Sequence, residues 1–517
     1  MSTYLLEIGT EELPADLAES VISQLEMNVS NDLNSSKIKF SEIRVTTTPR
    51  RIGLTIEGLA PFSEDNIAER KGPPVSQAFH DGKPTKAAIG FARRYDVSPE
   101  KLEIRETPKG SFVFAKLIEK GKPIESLLAE YLPGWITKIQ GRRFMRWAKG
   151  DFRFSRPIRW IVSLIDSEVL PFSISGCDPE IQIGNISRAH RLHGSELEIK
   201  NAKTYFDQLQ DAGVTVDRNS RLSHINDLVL NHEKLKKVKP DLTEPLLNEL
   251  TDLVESPLLV TGSFDESFLD LPPEVLSTVM KNHQRYIPIY KVNVELDPLS
   301  LDSRNILLPS FLCISNGLSS AKENIILGNE KVLKARFSDA SFFIKSDLLI
   351  NSSSRINKLK DVTFAEGLGS LYDRVDRIEW LTKLLTSKLK FDQEDIEKSL
   401  KVAHFSKHDL VSNMVAEFPE LQGIVGSKYL LQEGESRDVC LGVLEHYKPK
   451  GSSDTLPSNN LGNAVSLAER FELLFSIFAK GERPSGSSDP YALRRAANGI
   501  LLILWDKNWQ LNINEII

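Results

Sequence analysis

The sequence predicts an α+β multidomain protein: a mixed α/β N-terminal part with antiparallel sheets, followed by a largely all-α C-terminal part. Three observations lead there. Short alternating apolar runs bounded by Gly, Pro and Asn recur between Tyr4 and Ile314. Past Gly328 nearly every apolar pattern repeats at helical spacing instead. The 517 residues also exceed one core and fit three to four domains at about 150 residues each.

Taken in order, Tyr4 to Ile8 reads as a strand, with Thr10 placed to cap a helix whose first turn carries Glu11 and Glu12. A second strand runs near Arg51 to Glu57. From Glu69 to Ser98 the chain is punctuated by glycine and proline, and its latter half from Thr85 forms a short basic helix. Sheet follows around Phe112 to Ile118 and Trp160 to Ser173. From Asn201 helical patterns take over, interrupted by the charged NHEKLKKVKPDL, a solvated linker or helix end. Strands return at Leu258 to Gly262 and Leu307 to Ile314. Gly/Ser/Pro-rich gaps at Lys450 to Gly462 and Pro484 to Pro490 divide the rear helices. No internal repeat of fixed period is evident.

Bulk composition narrows the function classes. With 40% hydrophobic and 26% charged residues the chain is ordinary globular protein, not a disordered one. Its start, MSTYLLEIGTEELP, meets acids and a proline too early for a signal peptide, and no run is long enough to span a membrane. Cys177, Cys313 and Cys440 are odd in number and far apart, which argues against disulfides or a thiolate zinc site and fits core thiols in a cytoplasmic protein.

Against a net charge of −6, the segment GRRFMRWAKGDFRFSRPIRW reverses sign. Arg142, Arg143, Arg146, Lys149, Arg153, Arg156 and Arg159 can neutralise phosphates, and Phe144, Trp147, Phe152, Phe154 and Trp160 offer rings for unpaired bases. The alternative is that the rings are core and the arginines pair with acids. In GNEKVLKARFSDASFFIKSD, Lys331, Lys334, Ser338, Ser341 and Lys345 follow a 3-4-3-4 spacing that lines one helix face, opposite Leu333, Phe337, Ala340 and Ile344. That basic, hydroxyl-bearing stripe suits a sugar-phosphate backbone; the plainer reading is a solvated lysine face. In LPPEVLSTVMKNHQRYIP, Pro273 opens a helix whose face holds Leu276, Met280 and His283, with Lys281 and Arg285 clustered at its end. In SGSSDPYALRRAANGI, Ser488 or Asp489 caps a helix beginning at Pro490, presenting Arg494 and Arg495 in different directions.

His404, His408 and Asp409 in HFSKHD invite a metal reading, because residues four apart on a helix can converge on one ion. The adjacent His-Asp pair resembles that of metal-dependent phosphohydrolases, but the earlier histidine and distant aspartate of that site have no clear counterpart. Gly367-Leu368-Gly369 is followed by Tyr372, so it is no dinucleotide loop. No Walker loop, nucleophile elbow or zinc-protease motif occurs. The sequence thus nominates contacts, and neither a catalytic residue nor a metal ligand.

As a set, LLEIGTEELP, TPRRI, KGPP with GKPTKAAIGFAR, MRWAKGDFRFSRPIRW, HRLHG, LPPEVLSTVMKNHQRY, GNEKVLKARFSDASFF, EFPELQGIVG and DPYALRRAANGI closely resemble the beta subunit of bacterial glycyl-tRNA synthetase, in the family's order and from Leu5 to about Leu504. The resemblance implies an α2β2 class II synthetase in which the alpha subunit activates glycine with ATP and Mg2+, while the beta subunit, with no cofactor of its own, binds and positions tRNA(Gly). It implies a part similar to the B3/B4 region of the phenylalanyl synthetase beta subunit, and a helical part related to His-Asp phosphohydrolases, of which HFSKHD is a degenerate, metal-free version. The expected divisions are residues 1–200 and 201–325, both α+β and containing the B3/B4-like part; 326–480, helical and HD-like; and 481–517, the start of a further helical region. Members normally continue into an anticodon-binding domain, so the chain is expected to be a fragment or a short form. Two competing readings are an HD-type metal-dependent phosphohydrolase and a scaffold for the alpha subunit that touches no RNA.

Overall fold

Along β1 (Ser2–Thr10) side chains alternate between two faces, so Tyr4, Leu6 and Ile8 enter one hydrophobic core and Leu5 another. A strand buried on both sides belongs at a sheet centre, and β1 lies there. The computed structural model describes residues 1–147, 149–486 and 488–516. Ala148 of the basic segment, and Ser487 and Ile517 of the last expected region, lie outside the described residues.

The chain divides into two compact units. The first comprises Met1–Leu228, Glu244–Leu258 and Ile314–Ser319; the second comprises Val229–Thr243, Leu259–Cys313 and Ser320–Ile517. In the first, β1 leads to α1 (Ala15–Ser35), β2 (Glu42–Thr48) and β3 (Arg51–Leu59). An inserted module follows: β4 (Asn66–Pro74), α2 (Lys86–Arg94), β5 (Glu103–Thr107) and β6 (Gly110–Glu119). Its strands pair antiparallel in the order β4-β6-β5, and Ala88 and Ala92 of α2 share a small core with Val113 and Ala115. Then come α3 (Ile124–Thr137), β7 (Ile158–Ile165), β8 (Glu168–Val169), β9 (Ile183–Gly184) and α4 (Tyr205–Asp211).

The main sheet runs β8-β7-β1-β3-β2, antiparallel throughout, with β9 added to β7 in parallel. Leu17, Val21, Leu25, Val29 and Leu33, one helical turn apart, bring α1 onto one face beside Leu128, Leu132 and Trp135 of α3. Tyr205 and Leu209 of α4 close the other with Leu5, Val162 and Leu164. Gly9 is required here, because a Cβ at that position would sit 1.8 Å from the Trp160 indole that crosses it.

Further on lie α5 (Arg218–Lys236), β10 (Lys239–Pro240), α6 (Glu244–Leu253), β11 (Leu258–Ser263), α7 (Pro273–Thr278), β12 (Ile287–Tyr290) and β13 (Leu307–Ser315). These strands form a second sheet in the order β10-β12-β13-β11. Helices follow: α8 (Lys322–Leu348), α9 (Leu371–Lys388), α10 (Gln393–Phe405), α11 (Ile424–Gln432), α12 (Arg437–Glu445), α13 (Asn460–Ala479) and α14 (Leu493–Asp506). Ile378, Leu381 and Leu385 of α9 meet Val402, Val439, Val465 and Ile503 in the core of this helical part. Among the described residues no helix is long and apolar enough to cross a membrane.

The mixed front and helical rear match the expected class. Three details differ. The helix expected at Glu11 begins at Ala15, because β1 runs through Thr10, whose amide donates to the Arg50 carbonyl at 2.7 Å, while Leu13 is tied to the Pro49 carbonyl at 2.6 Å. The strand expected over Trp160 to Ser173 is split at the left-handed Asp166, φ 50°. β12, four residues that include Pro288, was too short to read from periodicity.

Candidate nucleic-acid interface

Helix α8 presents the face its spacing predicts. Leu333, Phe337, Ala340 and Ile344 are buried, whereas Lys331, Lys334 and Lys345 are exposed, as is Ser338. Burial of these apolar side chains contributes about 1.5–3 kcal/mol for each large one and fixes which way the lysines point. Phe337 meets Phe264 and Phe268 with ring centroids 5.0 and 5.4 Å apart. Glu330 accepts from the Ser263 amide at 2.7 Å and hydroxyl at 2.9 Å. Asp347 accepts from the amides of Asn413 and Met414 and from the Tyr429 hydroxyl, at 2.9, 3.0 and 3.0 Å. The helix is thus anchored along its length, and none of the three lysines forms an ion pair among the described residues. Phe342, 66% exposed, lies on the same outward face.

The segment from Arg142 to Trp160 splits by residue type. Phe152, Phe154 and Trp160 are buried, and Phe144 and Trp147 pack half-buried against the core under the main sheet. Centroids of Phe144 and Phe154 stand 5.5 Å apart, those of Trp147 and Phe152 6.1 Å. The expectation that rings here receive bases is corrected for Phe152, Phe154 and Trp160, whose faces are buried, that of Trp160 beside Gly9 and the guanidinium groups of Arg50, Arg51 and Arg188. Trp160 Nε1 donates to the buried Glu7 carboxylate, which also accepts from Ser187 Oγ at 2.5 Å and Tyr205 OH at 2.6 Å. Burial and the Glu7 charge push the Tyr205 hydroxyl well above its ordinary range. Beside them Arg51 Nε lies 3.2 Å from Glu255.

The cations of that segment stay at the surface. Arg142, Arg143, Lys149 and Arg153 are exposed, while Arg146 meets Asp151 at 3.2 Å and Arg159 meets Glu11 at 2.7 Å. Elsewhere Lys281 is committed to Asp241 at 2.6 Å, in a pair about three-quarters buried on each side. Arg285 has a left-handed backbone, φ 57°, and its guanidinium donates to the Asn282 carbonyl. His283 packs on Phe418 at 4.9 Å. Arg494 and Arg495 are both exposed on α14, which begins at Leu493 rather than Pro490; Asp489 accepts from the amides of Leu493 and Arg494 at 2.8 and 3.0 Å.

The helix expected to carry both histidines of HFSKHD ends at Phe405, and His408 starts a separate 3-10 turn. The i, i+4 geometry of the metal reading is therefore absent. His404 Nδ1 pairs with Glu379 at 2.6 Å, His408 Nε2 with the Gly426 carbonyl at 3.1 Å, and Asp409 accepts from the Gly423 and Gly426 amides at 2.6 and 3.2 Å. Burial lifts the Asp409 carboxyl to about 6 and drops His408 to about 3. Among the described residues no three His, Cys, Asp or Glu side chains are grouped to hold a metal ion.

What sequence reasoning missed lies between those histidines. Lys407 is buried and donates to Glu469 at 2.5 Å, sharing a contact with His446 Nε2 at 2.9 Å. Arg374 reaches Glu472 at 2.8 Å and Glu469 at 3.5 Å. Arg470 binds the Tyr447 and Pro449 carbonyls at 3.2 and 2.8 Å, and Gly499 is needed beside it, since a Cβ there would meet Arg470 Nε at 2.4 Å. The available signal was Glu469, Arg470 and Glu472 within LGNAVSLAERFELLF, three charges grouped on a helix that is mostly apolar.

Comparison with known proteins adds three relatives and one family. The model of the family "Glycyl-tRNA synthetase beta subunit" matches residues 4–517. A glycine–tRNA ligase beta subunit of Trichodesmium erythraeum is 43% identical over 516 residues, covering 100% of this chain and 71% of the relative. That of Synechocystis sp. is 41% identical over 518 residues, with 100% and 70% covered, and that of Bacillus subtilis 38% over 514 residues, with 99% and 73%.

Proposed function

Because the chain belongs to the family of glycyl-tRNA synthetase beta subunits, and so to an aminoacyl-tRNA synthetase, we infer that it holds tRNA(Gly) by charge and shape so that the 3′ end reaches glycyl-adenylate on an alpha subunit. Its contribution is position, not bond chemistry. Glycine, ATP and Mg2+ are handled by the alpha subunit, in an α2β2 assembly in the cytoplasm. Residues 326–480 form the degenerate HD-like part, residues 1–325 contain the B3/B4-like part, and 481–517 open the final helical region.

The observation that carries this reading is the anchored α8 face with three unpaired lysines. Each phosphate a lysine neutralises releases counterions, steepening the dependence of log affinity on log salt by about 0.7–0.9. Replacing Lys331 and Lys334 by Glu weakens tRNA(Gly) binding and flattens its salt dependence, while ATP–pyrophosphate exchange by added alpha subunit is unchanged. Unaltered tRNA affinity with an unaltered salt dependence in that variant would refute the reading. Arg142, Arg143, Arg146, Arg494 and Arg495 supply secondary contacts; Lys281 and Arg285 contribute least, since Lys281 already serves an acid and the Arg285 guanidinium a carbonyl.

A further inference from the structure

A cavity of about 380 Å³ in the helical part is lined by Arg374, Lys450, Arg470 and Arg495, with Tyr447 and Tyr491. Among its described lining residues the single acid is Glu469, and its charge is already answered by Lys407 and Arg374. Arg470 spends its guanidinium on carbonyl and hydroxyl oxygens. Lys450 and Arg495 are exposed and form no ion pair among the described residues. The cavity is therefore cationic beyond what the protein neutralises. Beside these cations the half-buried ring of Tyr491 borders the cavity. A bare anion would satisfy only the cations, whereas a ligand carrying both an anionic group and a flat ring can use the cations and the tyrosine together.

We propose that this cavity takes one ribonucleotide residue, with its phosphate on Lys450 and Arg495 and its base beside Tyr491. The volume lies within the range of about 300–1,000 Å³ for small-molecule pockets. RNA is named as the source because of the function inferred above; the pocket chemistry stands without it. The probes are adenosine 5′-monophosphate and a five-nucleotide oligoadenylate, titrated against the whole chain by calorimetry. The expected result is saturable binding of the monophosphate, weakened roughly tenfold or more by Lys450→Ala with Arg495→Ala, and displacement by the oligomer. Both side chains are exposed, so the thermal midpoint should stay within a degree or two of the parent's. No binding, or binding indifferent to the double substitution, overturns the site. Binding that the oligomer does not displace overturns the RNA source. Either failure is separable from failure of the tRNA reading, which is read from Lys331→Glu with Lys334→Glu.

Discussion

Two stretches of this chain look alike in composition and differ in what folding does with them. Arg142 to Trp160 mixes cations with aromatic rings, and GNEKVLKARFSDASFF mixes cations with apolar residues, yet in the first the rings joined the cores on the two faces of a sheet and in the second the apolar residues were sorted to one side of a helix. The difference is periodicity. A 3-4-3-4 pattern states which side chains share a face, so exposure follows from it. A dense run without a period states only what is present, and long-range packing decides the rest. Trp160 illustrates this: its place is set by Gly9, Glu7 and Tyr205, all at least 45 residues away in sequence.

The sharpest way to break the contrast is to remove one member from each stretch and compare stabilities by urea unfolding. Trp160→Ala should cost about 3–5 kcal/mol, since it opens a cavity and removes one of the three side-chain donors to the buried Glu7 carboxylate. Lys331→Ala, Lys334→Ala and Lys345→Ala together should change stability by under about 0.5 kcal/mol. Comparable losses would mean that the lysine face is structural.

Acid provides the next test, because buried and surface charges respond differently. Burial alone would raise the Glu469 carboxyl, but Lys407, His446 and Arg374 outweigh it and hold it at about 2. A depressed carboxyl stabilises the fold fully above its unfolded value near 4.5 and loses that contribution as pH falls toward 2, a span worth about 3 kcal/mol. Glu469→Gln should therefore be less stable at neutral pH and lose less on acidification. Parallel pH profiles of the two melting curves would count against the Lys407–Glu469 account.

Gly9→Ala is smaller, about 1–3 kcal/mol by overpacking against Trp160, and should be relieved in the background of Trp160→Ala. Full additivity of the two would contradict the contact. Smallest is Arg146→Ala: its exposed pair with Asp151 should be worth under about 1 kcal/mol, and tRNA(Gly) affinity should fall less than for Lys331→Ala.

Local pattern made much of this fold legible. The α8 faces, the α2 helix opened by Thr85 and the strands near Leu258 and Leu307 follow from spacing, caps and turn residues within a few positions. The helix at Glu11 was misplaced because a turn residue 40 positions on, Arg50, holds Thr10 extended through its carbonyl. The candidate site was half legible. Lys331, Lys334 and Lys345 were read correctly as a face, whereas the cavity of Arg374, Lys450, Glu469 and Arg495 gathers residues spread over more than a hundred positions, with no period to connect them. Lys407 was hidden by its neighbours, two histidines and an aspartate whose spacing suggested a shared helix that the chain ends before His408.

The central claim is that the α8 face, and not the ring-rich segment, carries the main electrostatic hold on RNA. It is tested most directly by measuring tRNA(Gly) affinity across a salt series for the parent and for Lys331→Ala, Lys334→Ala, Lys345→Ala combined. The account predicts a log–log slope shallower by about two to three in the triple variant. An unchanged slope, with the loss appearing instead in Arg142→Ala with Arg143→Ala, would contradict it.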